Sequence, residues 1–182
     1  MVEANSVNLI AVGGLGQGKS SLLNTLVGDG QAFATSASPL GCTKSANSKG
    51  LEWNGKEILL TDTPGLYDLR MPMPVWLAKY GQMEEEQKCV NKVLWVIRGV
   101  LRPNDECKLT RDIIRDMFQS DADFARHTTV VFTFADQDGI DNPQAWLAEL
   151  CQDLPVPKYV FYAEPTATQD DMFNAILSDS QP

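Results

Sequence analysis

The stretch Gly13-Gly14-Leu15-Gly16-Gln17-Gly18-Lys19-Ser20 constrains this chain more than any other. It stands between an apolar run, Val7-Asn8-Leu9-Ile10-Ala11-Val12, and a helix-like run, Ser21-Leu22-Leu23-Asn24-Thr25-Leu26-Val27. The pattern is G-x4-G-K-[ST], whose glycines let the backbone turn tightly and aim N–H groups at phosphate oxygens, while the next helix adds its positive end. The motif demands a strand before it and a helix after it, and both are expected here. Residues Gly13 to Ser21 are therefore expected to cradle the phosphates of a nucleotide. Lys19 would hold the outer phosphates as a point charge, and the Ser20 hydroxyl would give one ligand to Mg2+.

A chain of 182 residues suffices for a single domain with its own core, and no repeat, low-complexity segment or long linker divides it. Residues 1–182 are therefore read as one unit. Cys42, Cys89, Cys107 and Cys151 lie far apart without C-x-x-C or Cys/His spacing, which suggests neither a disulfide framework nor a zinc site. A reducing, cytoplasmic setting suits them. No apolar run approaches the roughly 18 residues of a membrane span, and the start of the chain lacks a signal-peptide pattern. With 15 basic against 24 acidic residues, the net charge of −9 argues against a nucleic-acid partner. It does not oppose nucleotide binding, which relies on local backbone dipoles and one lysine. The run Glu84-Glu85-Glu86 reads as a solvated helix face.

Beyond the first strand and helix, Gly28-Asp29-Gly30 is a helix stop, and residues 31–48 lack periodicity, as a long functional loop does. Two short strands flank Asn54-Gly55, a pairing that favours a type I′ hairpin turn. A helical pattern follows over about Val75 to Lys88, with Trp76, Tyr80 and Met83 along one face, most simply a core stripe. The remainder alternates: strand Lys92–Arg98, helix Asp105–Gln119, strand Thr128–Phe134, helix Pro143–Gln152, strand Lys158–Phe161, helix Gln169–Leu177. Such alternation implies an α/β fold with a mainly parallel sheet covered on both faces and one antiparallel pair. Ligands then bind beyond the carboxyl ends of the strands.

Asp62-Thr63-Pro64-Gly65 supplies the second motif. The aspartate, at a strand end, can hold Mg2+, and the Gly65 N–H can reach a γ-phosphate and so sense it. A loop hydroxyl is the expected third element. Thr43 is the candidate Mg2+ and γ-phosphate ligand, with Thr35, Ser36 and Ser38 as competitors.

Together, the phosphate loop followed by Ser-Leu-Leu-Asn, a loop Thr, Trp53-Asn54-Gly55-Lys56-Glu57-Ile58 and Asp62-Thr63-Pro64-Gly65-Leu66-Tyr67-Asp68 resemble the septin, chloroplast-import-receptor and immunity-associated (GIMAP) branch of P-loop GTPases. The resemblance covers about residues 7–134. It implies a three-layer P-loop GTPase domain with a six-stranded sheet, GTP or GDP with Mg2+, and a switch whose regulated state is often a homodimer through the nucleotide face.

The guanine motif of that superfamily, [NT]-K-x-D, here reads Thr133-Phe134-Ala135-Asp136. Asp136 keeps the two acceptors that match guanine's paired N–H donors. The lysine, whose stem lies against the base, is replaced by Phe134, which either stacks there or is core at a strand end. Where many relatives carry a water-orienting glutamine after the D-x-x-G glycine, this chain has Leu66, so intrinsic hydrolysis is expected to be slow. The resemblance offers Arg102 as an arginine that meets the nucleotide of a facing subunit, with Arg70 in reserve. Lys19, Thr43, Gly65 and Arg102 are thus the expected catalytic set. Two alternatives remain: a GTP-locked scaffold, supported by Leu66, and a P-loop kinase or ATPase, supported by the missing lysine. His127 is read as structural, at the start of a strand.

Overall fold

A computed structural model describes residues 6–35, 47–66, 90–99, 103–134, 140–163 and 166–178. Six strands, β1 (Ser6–Val12), β2 (Asn47–Trp53), β3 (Lys56–Asp62), β4 (Lys92–Arg98), β5 (Thr128–Thr133) and β6 (Lys158–Tyr162), form one sheet. Their order is β2-β3-β1-β4-β5-β6. Every pairing is parallel except β2 with β3, where Trp53 faces Lys56 across the turn and Asn47 faces Asp62. Asn54 and Gly55 both have positive φ, 49° and 74°, as a type I′ turn requires.

Five described helices cover the sheet: α1 (Lys19–Val27), α2 (Asp105–Asp116), α3 (Asp121–His127), α4 (Pro143–Cys151) and α5 (Gln169–Leu177). Alternation along β1 sends Leu9 and Ala11 to one face and Ile10 and Val12 to the other. The first face packs Leu22, Leu23 and Leu26 of α1 with Phe173 and Ile176 of α5. The second packs Ile114 of α2, Phe124 of α3 and Trp146, Leu147 and Leu150 of α4. The result is the three-layer α/β arrangement that the sequence implied, with β2 as the antiparallel edge strand.

Two boundaries differ from expectation. The helix expected over residues 105–119 ends at Asp116, and a separate helix, α3, precedes β5. Ser120 causes the break: its backbone is extended, its Oγ accepts from Asp123 N at 3.1 Å, and it donates to Asp123 Oδ2 at 2.7 Å. That N-cap starts a new helix whose Phe124 is fully buried. His127 consequently closes α3 instead of opening β5, with Nδ1 2.9 Å from Asn91 O and its ring stacked beside Phe118. Its role is structural, at the end of the sheet opposite the glycine-rich loop. The other difference is β2, which begins at Asn47, inside the expected loop. The helical stripe of Trp76, Tyr80 and Met83 and the acidic run Glu84–Glu86 lie outside the described residues.

Among the described residues Cys107 and Cys151 are free, buried thiols. No helix of the described residues is long and apolar enough to cross a membrane.

Candidate functional site

Val12, Asp62, Arg98, Thr133 and Tyr162 end their strands at one rim of the sheet, and the glycine-rich loop leaves β1 at the same rim. The loop closes on Gly18, which caps α1 with φ 85°. Only glycine takes that conformation without strain, and there is little space for more: an added Cβ would stand 3.2 Å from Thr133 Cγ2. No side chain caps α1, so its first N–H groups point into the cradle, where an anion would satisfy them.

Lys19 is buried, and its Nζ donates to Gly13 O at 3.1 Å and Gly14 O at 2.8 Å. The ammonium is thereby fixed against the wall of the loop, in place for a phosphate before one arrives. Next to it, Ser20 Oγ donates to Asp62 Oδ2 at 2.6 Å. This bond joins the first helical turn of α1 to the end of β3, and the two oxygens converge where the sequence expected a Mg2+ ligand pair. A hydroxyl and a carboxylate held this close form a hard-oxygen donor set of the kind Mg2+ takes with phosphate and water. The residues therefore fit the ion.

Thr63 Oγ1 donates to Ala11 O at 2.7 Å, which anchors the start of the D-x-x-G segment to β1. At its end, Leu66 N donates to Gly13 O at 3.1 Å and Leu66 bridges Gly14 in parallel. Gly65 lies so close to the loop that a Cβ there would meet Leu15 Cα at 2.8 Å. Gly65 is thus stacked on the loop, and Leu66 is fully buried in the second core cluster.

Two contributors stand out: Glu106, which was not anticipated, and Gln17, which was expected as part of the cradle but not as a tie to the sheet. The Glu106 carboxylate from the first turn of α2 fills the space beside Gly14, where an added Cβ would sit 1.7 Å from Oε1. Burial raises its pKa, and the nearby Lys19 charge opposes that rise. Its placement depends on Asn104, which caps α2 by accepting from Cys107 N at 2.9 Å. An acidic residue in a helix first turn is too common to be singled out from sequence. The second contributor is Gln17: its carbonyl accepts from Thr133 Oγ1 at 2.8 Å, and its side-chain Oε1 accepts from Arg98 N. Gln17 therefore ties the loop to the ends of β4 and β5.

Thr133 and Phe134 stand beside the cradle as expected, Phe134 Cε2 being 3.6 Å from where a Gly18 Cβ would lie. Ser21 lines an open cleft of about 330 Å³ along α1, together with Asn24, Thr25, Thr35, Ala167 and Gln169. The structure thus brings together Gly13 to Ser21, Asp62, Gly65, Thr133 and Phe134. Thr43, Ser36, Ser38, Arg70, Arg102 and Asp136 lie outside the described residues.

Comparison with known proteins bears on this arrangement. The AIG1 family pattern matches residues 7–155, most of the chain. The chain belongs to the AIG1 family. AIG1 relatives include GTPase IMAP family member 8 of Rattus norvegicus, 28% identical over 145 residues. Another is Immune-associated nucleotide-binding protein 7 of Arabidopsis thaliana, 31% identical over 137 residues. These matches take in 77% and 71% of this chain but 20% and 41% of the relatives, so the part of this AIG1 chain that matches accounts for less than half the length of either. Among solved structures, Toc33 from Arabidopsis thaliana, as a dimerization deficient mutant, superposes with a TM-score of 0.71 at 19% identity, over 90% of this chain and 72% of that one. Toc33 in complex with GDP and Mg2+ gives 0.68 at 20% identity, over 89% and 72%. The AIG1 chain thus has the P-loop GTPase fold.

Proposed function

We propose that this chain is a guanine-nucleotide switch, a single G domain over residues 1–182 that binds GTP or GDP with Mg2+ and hydrolyses GTP slowly. The observation that carries the reading is the 2.6 Å pairing of Ser20 with Asp62 beside a buried, pre-placed Lys19. It joins two motifs 42 residues apart in sequence, which the parallel pairing of β1 with β3 brings to the same rim of the sheet. AIG1 membership and the nucleotide complexes of Toc33 support the same nucleotides and the same ion.

In this reading Lys19 and the loop N–H groups bind and orient the phosphates, while Ser20, Asp62 and Thr43 hold Mg2+. When bound, Mg2+ would supply positive charge that offsets the negative charge of the phosphates. Gly65 contributes its N–H as the group that distinguishes triphosphate from diphosphate. Thr133, Phe134 and Asp136 receive the guanine. Leu66, apolar and fully buried, offers nothing to orient water, which supports slow intrinsic turnover. Arg102, supplied by a facing subunit in a homodimer, completes the catalytic set.

The buried Leu66 also supports a second reading, a scaffold that holds GTP with negligible hydrolysis. Single-turnover GTP hydrolysis over a range of protein concentrations separates the two, since a dimer-stimulated enzyme speeds up with concentration and a locked scaffold stays flat. The nucleotide reading itself is tested by measuring GDP and non-hydrolysable GTP-analogue affinity with Mg2+, in competition with ATP, alongside sedimentation in each nucleotide. Equal competition by ATP and GTP would remove the guanine assignment.

A further inference from the structure

Phe134 has φ 54°, a left-handed conformation that costs a bulky residue about 1–2 kcal/mol and persists only where neighbours enforce it. The neighbours are identifiable. Thr133 Oγ1 donates to Gln17 O at 2.8 Å and lies 3.3 Å from Ile97 O, and Gly99 N donates to Thr133 O at 3.3 Å. These bonds pin the turn out of β5. Over the aromatic ring stands Arg98, its guanidinium carbon 4.7 Å from the ring centroid. Arg98 is itself held by the loop, because its backbone N–H donates to Gln17 Oε1.

A lysine in the guanine motif has two useful parts, an apolar stem that lies against a base and an ammonium at its tip. Phe134 supplies an apolar face and no charge. We propose that Arg98 supplies the other half: it is a positioning residue for the nucleoside, holding the Phe134 ring upright beside Gly18 and restoring a cation to that side of the cradle. The inference rests on the guanine reading above and concerns how that reading survives the loss of the lysine. Guanidinium and aromatic ring act as one composite in place of one side chain. A cation over an aromatic face at a solvent-accessible site is worth enough to change GDP affinity roughly two- to tenfold.

The experiment is to measure the affinity of GDP and of inorganic pyrophosphate, each with Mg2+, for the parent and for Arg98→Ala, Arg98→Lys, Phe134→Leu, Phe134→Lys and the double variants. Arg98→Ala should weaken GDP roughly two- to tenfold and leave pyrophosphate unchanged, because pyrophosphate has no base to stack. Arg98→Lys should recover part of the loss. In the Phe134→Leu background Arg98→Ala should add nothing, and in Phe134→Lys, where the motif's own cation returns, it should cost little. Equal weakening of GDP and pyrophosphate by Arg98→Ala would mean a distorted phosphate loop and would overturn the inference. So would unchanged or tighter GDP binding in that variant while Phe134→Leu still weakens GDP. If Phe134→Leu itself leaves GDP affinity intact, the base reading at this position falls and Arg98's role falls with it.

Discussion

Adding one methyl group to Gly65 should separate diphosphate from triphosphate binding. The Cβ of Gly65→Ala would stand 2.8 Å from Leu15 Cα and 3.0 Å from Leu15 N, both backbone atoms with no rotamer to yield. Ordinary contact needs about 3.4 Å, so the D-x-x-G segment and the phosphate loop must part by roughly 0.6 Å. The Leu66 N to Gly13 O bond, 3.1 Å in the parent, spans the same gap and would stretch past useful length. Its loss costs about 0.5–1.5 kcal/mol of stability. A larger effect is expected on the γ-phosphate: in the proposed reading, a charge-assisted bond from Gly65 N–H would be worth about 1.5–3 kcal/mol. Triphosphate affinity should therefore drop roughly 10- to 150-fold while GDP, which has no γ-phosphate to reach Gly65, changes by less than about threefold. Titration calorimetry with GDP and with a non-hydrolysable GTP analogue, beside thermal unfolding, reads all three quantities. An equal loss for both nucleotides would refute the reasoning, since it would locate the damage in the cradle and not in the sensor; so would no loss for either.

Lys19→Ala should weaken GTP-analogue binding by at least tenfold with little change in thermal unfolding, because the ammonium bonds two carbonyls of an otherwise intact loop; calorimetry and a melting curve together check it. Asp136→Asn should turn preference from guanine toward xanthine nucleotides, read as the GTP-to-XTP affinity ratio, and an unchanged ratio would assign base recognition elsewhere. Arg102→Ala should flatten the rise of GTP turnover with protein concentration, an arginine supplied in trans being worth on the order of 10³–10⁵ in rate; a parent rate independent of concentration would rule the trans mechanism out. Glu106, whose folded pKa is raised, binds its proton more tightly folded than unfolded, so stability is lost as pH rises from the ordinary 4.5 through the raised value. Glu106→Gln should therefore raise the melting temperature at pH 7.5 more than at pH 4, and a gain that does not vary with pH would contradict that assignment.

The parts of this molecule legible from sequence were those written in short-range signals. The glycine-rich loop announces its own strand and helix, Asn54-Gly55 announces a hairpin, and short apolar runs that alternate with helices announce a sheet buried on both faces. Ser20 and Asp62 were each read from their motifs as Mg2+ ligands, but the bond between them was not. What escaped depends on where separate elements meet. The division of α2 from α3 hangs on Ser120 capping back onto Asp123, a signal present in the sequence but hidden within a continuous helical pattern. Glu106 gains its place only when α2 folds against the loop, and nothing in its own neighbourhood distinguishes it; Gln17 was legible as a loop residue, but its bonds to the ends of β4 and β5 were not. Phe134 was singled out as a departure from a motif, yet its left-handed backbone and the guanidinium above it belong to three dimensions.

Asn24, buried in α1, reaches forward past the end of its own helix. Its Nδ2 donates to Gly30 O at 3.0 Å and Phe33 O at 2.9 Å, while its Oδ1 accepts from Phe33 N at 2.7 Å. Phe33 itself is sunk in the first core cluster. The opening of the loop that follows α1 is therefore riveted to the same helix that carries Lys19 and Ser20, by three bonds and one anchored ring. Residues 30–33 therefore cannot shift away from α1 without breaking those bonds. One amide thus fastens the stretch after α1 to the helix that carries Lys19 and Ser20 at its other end.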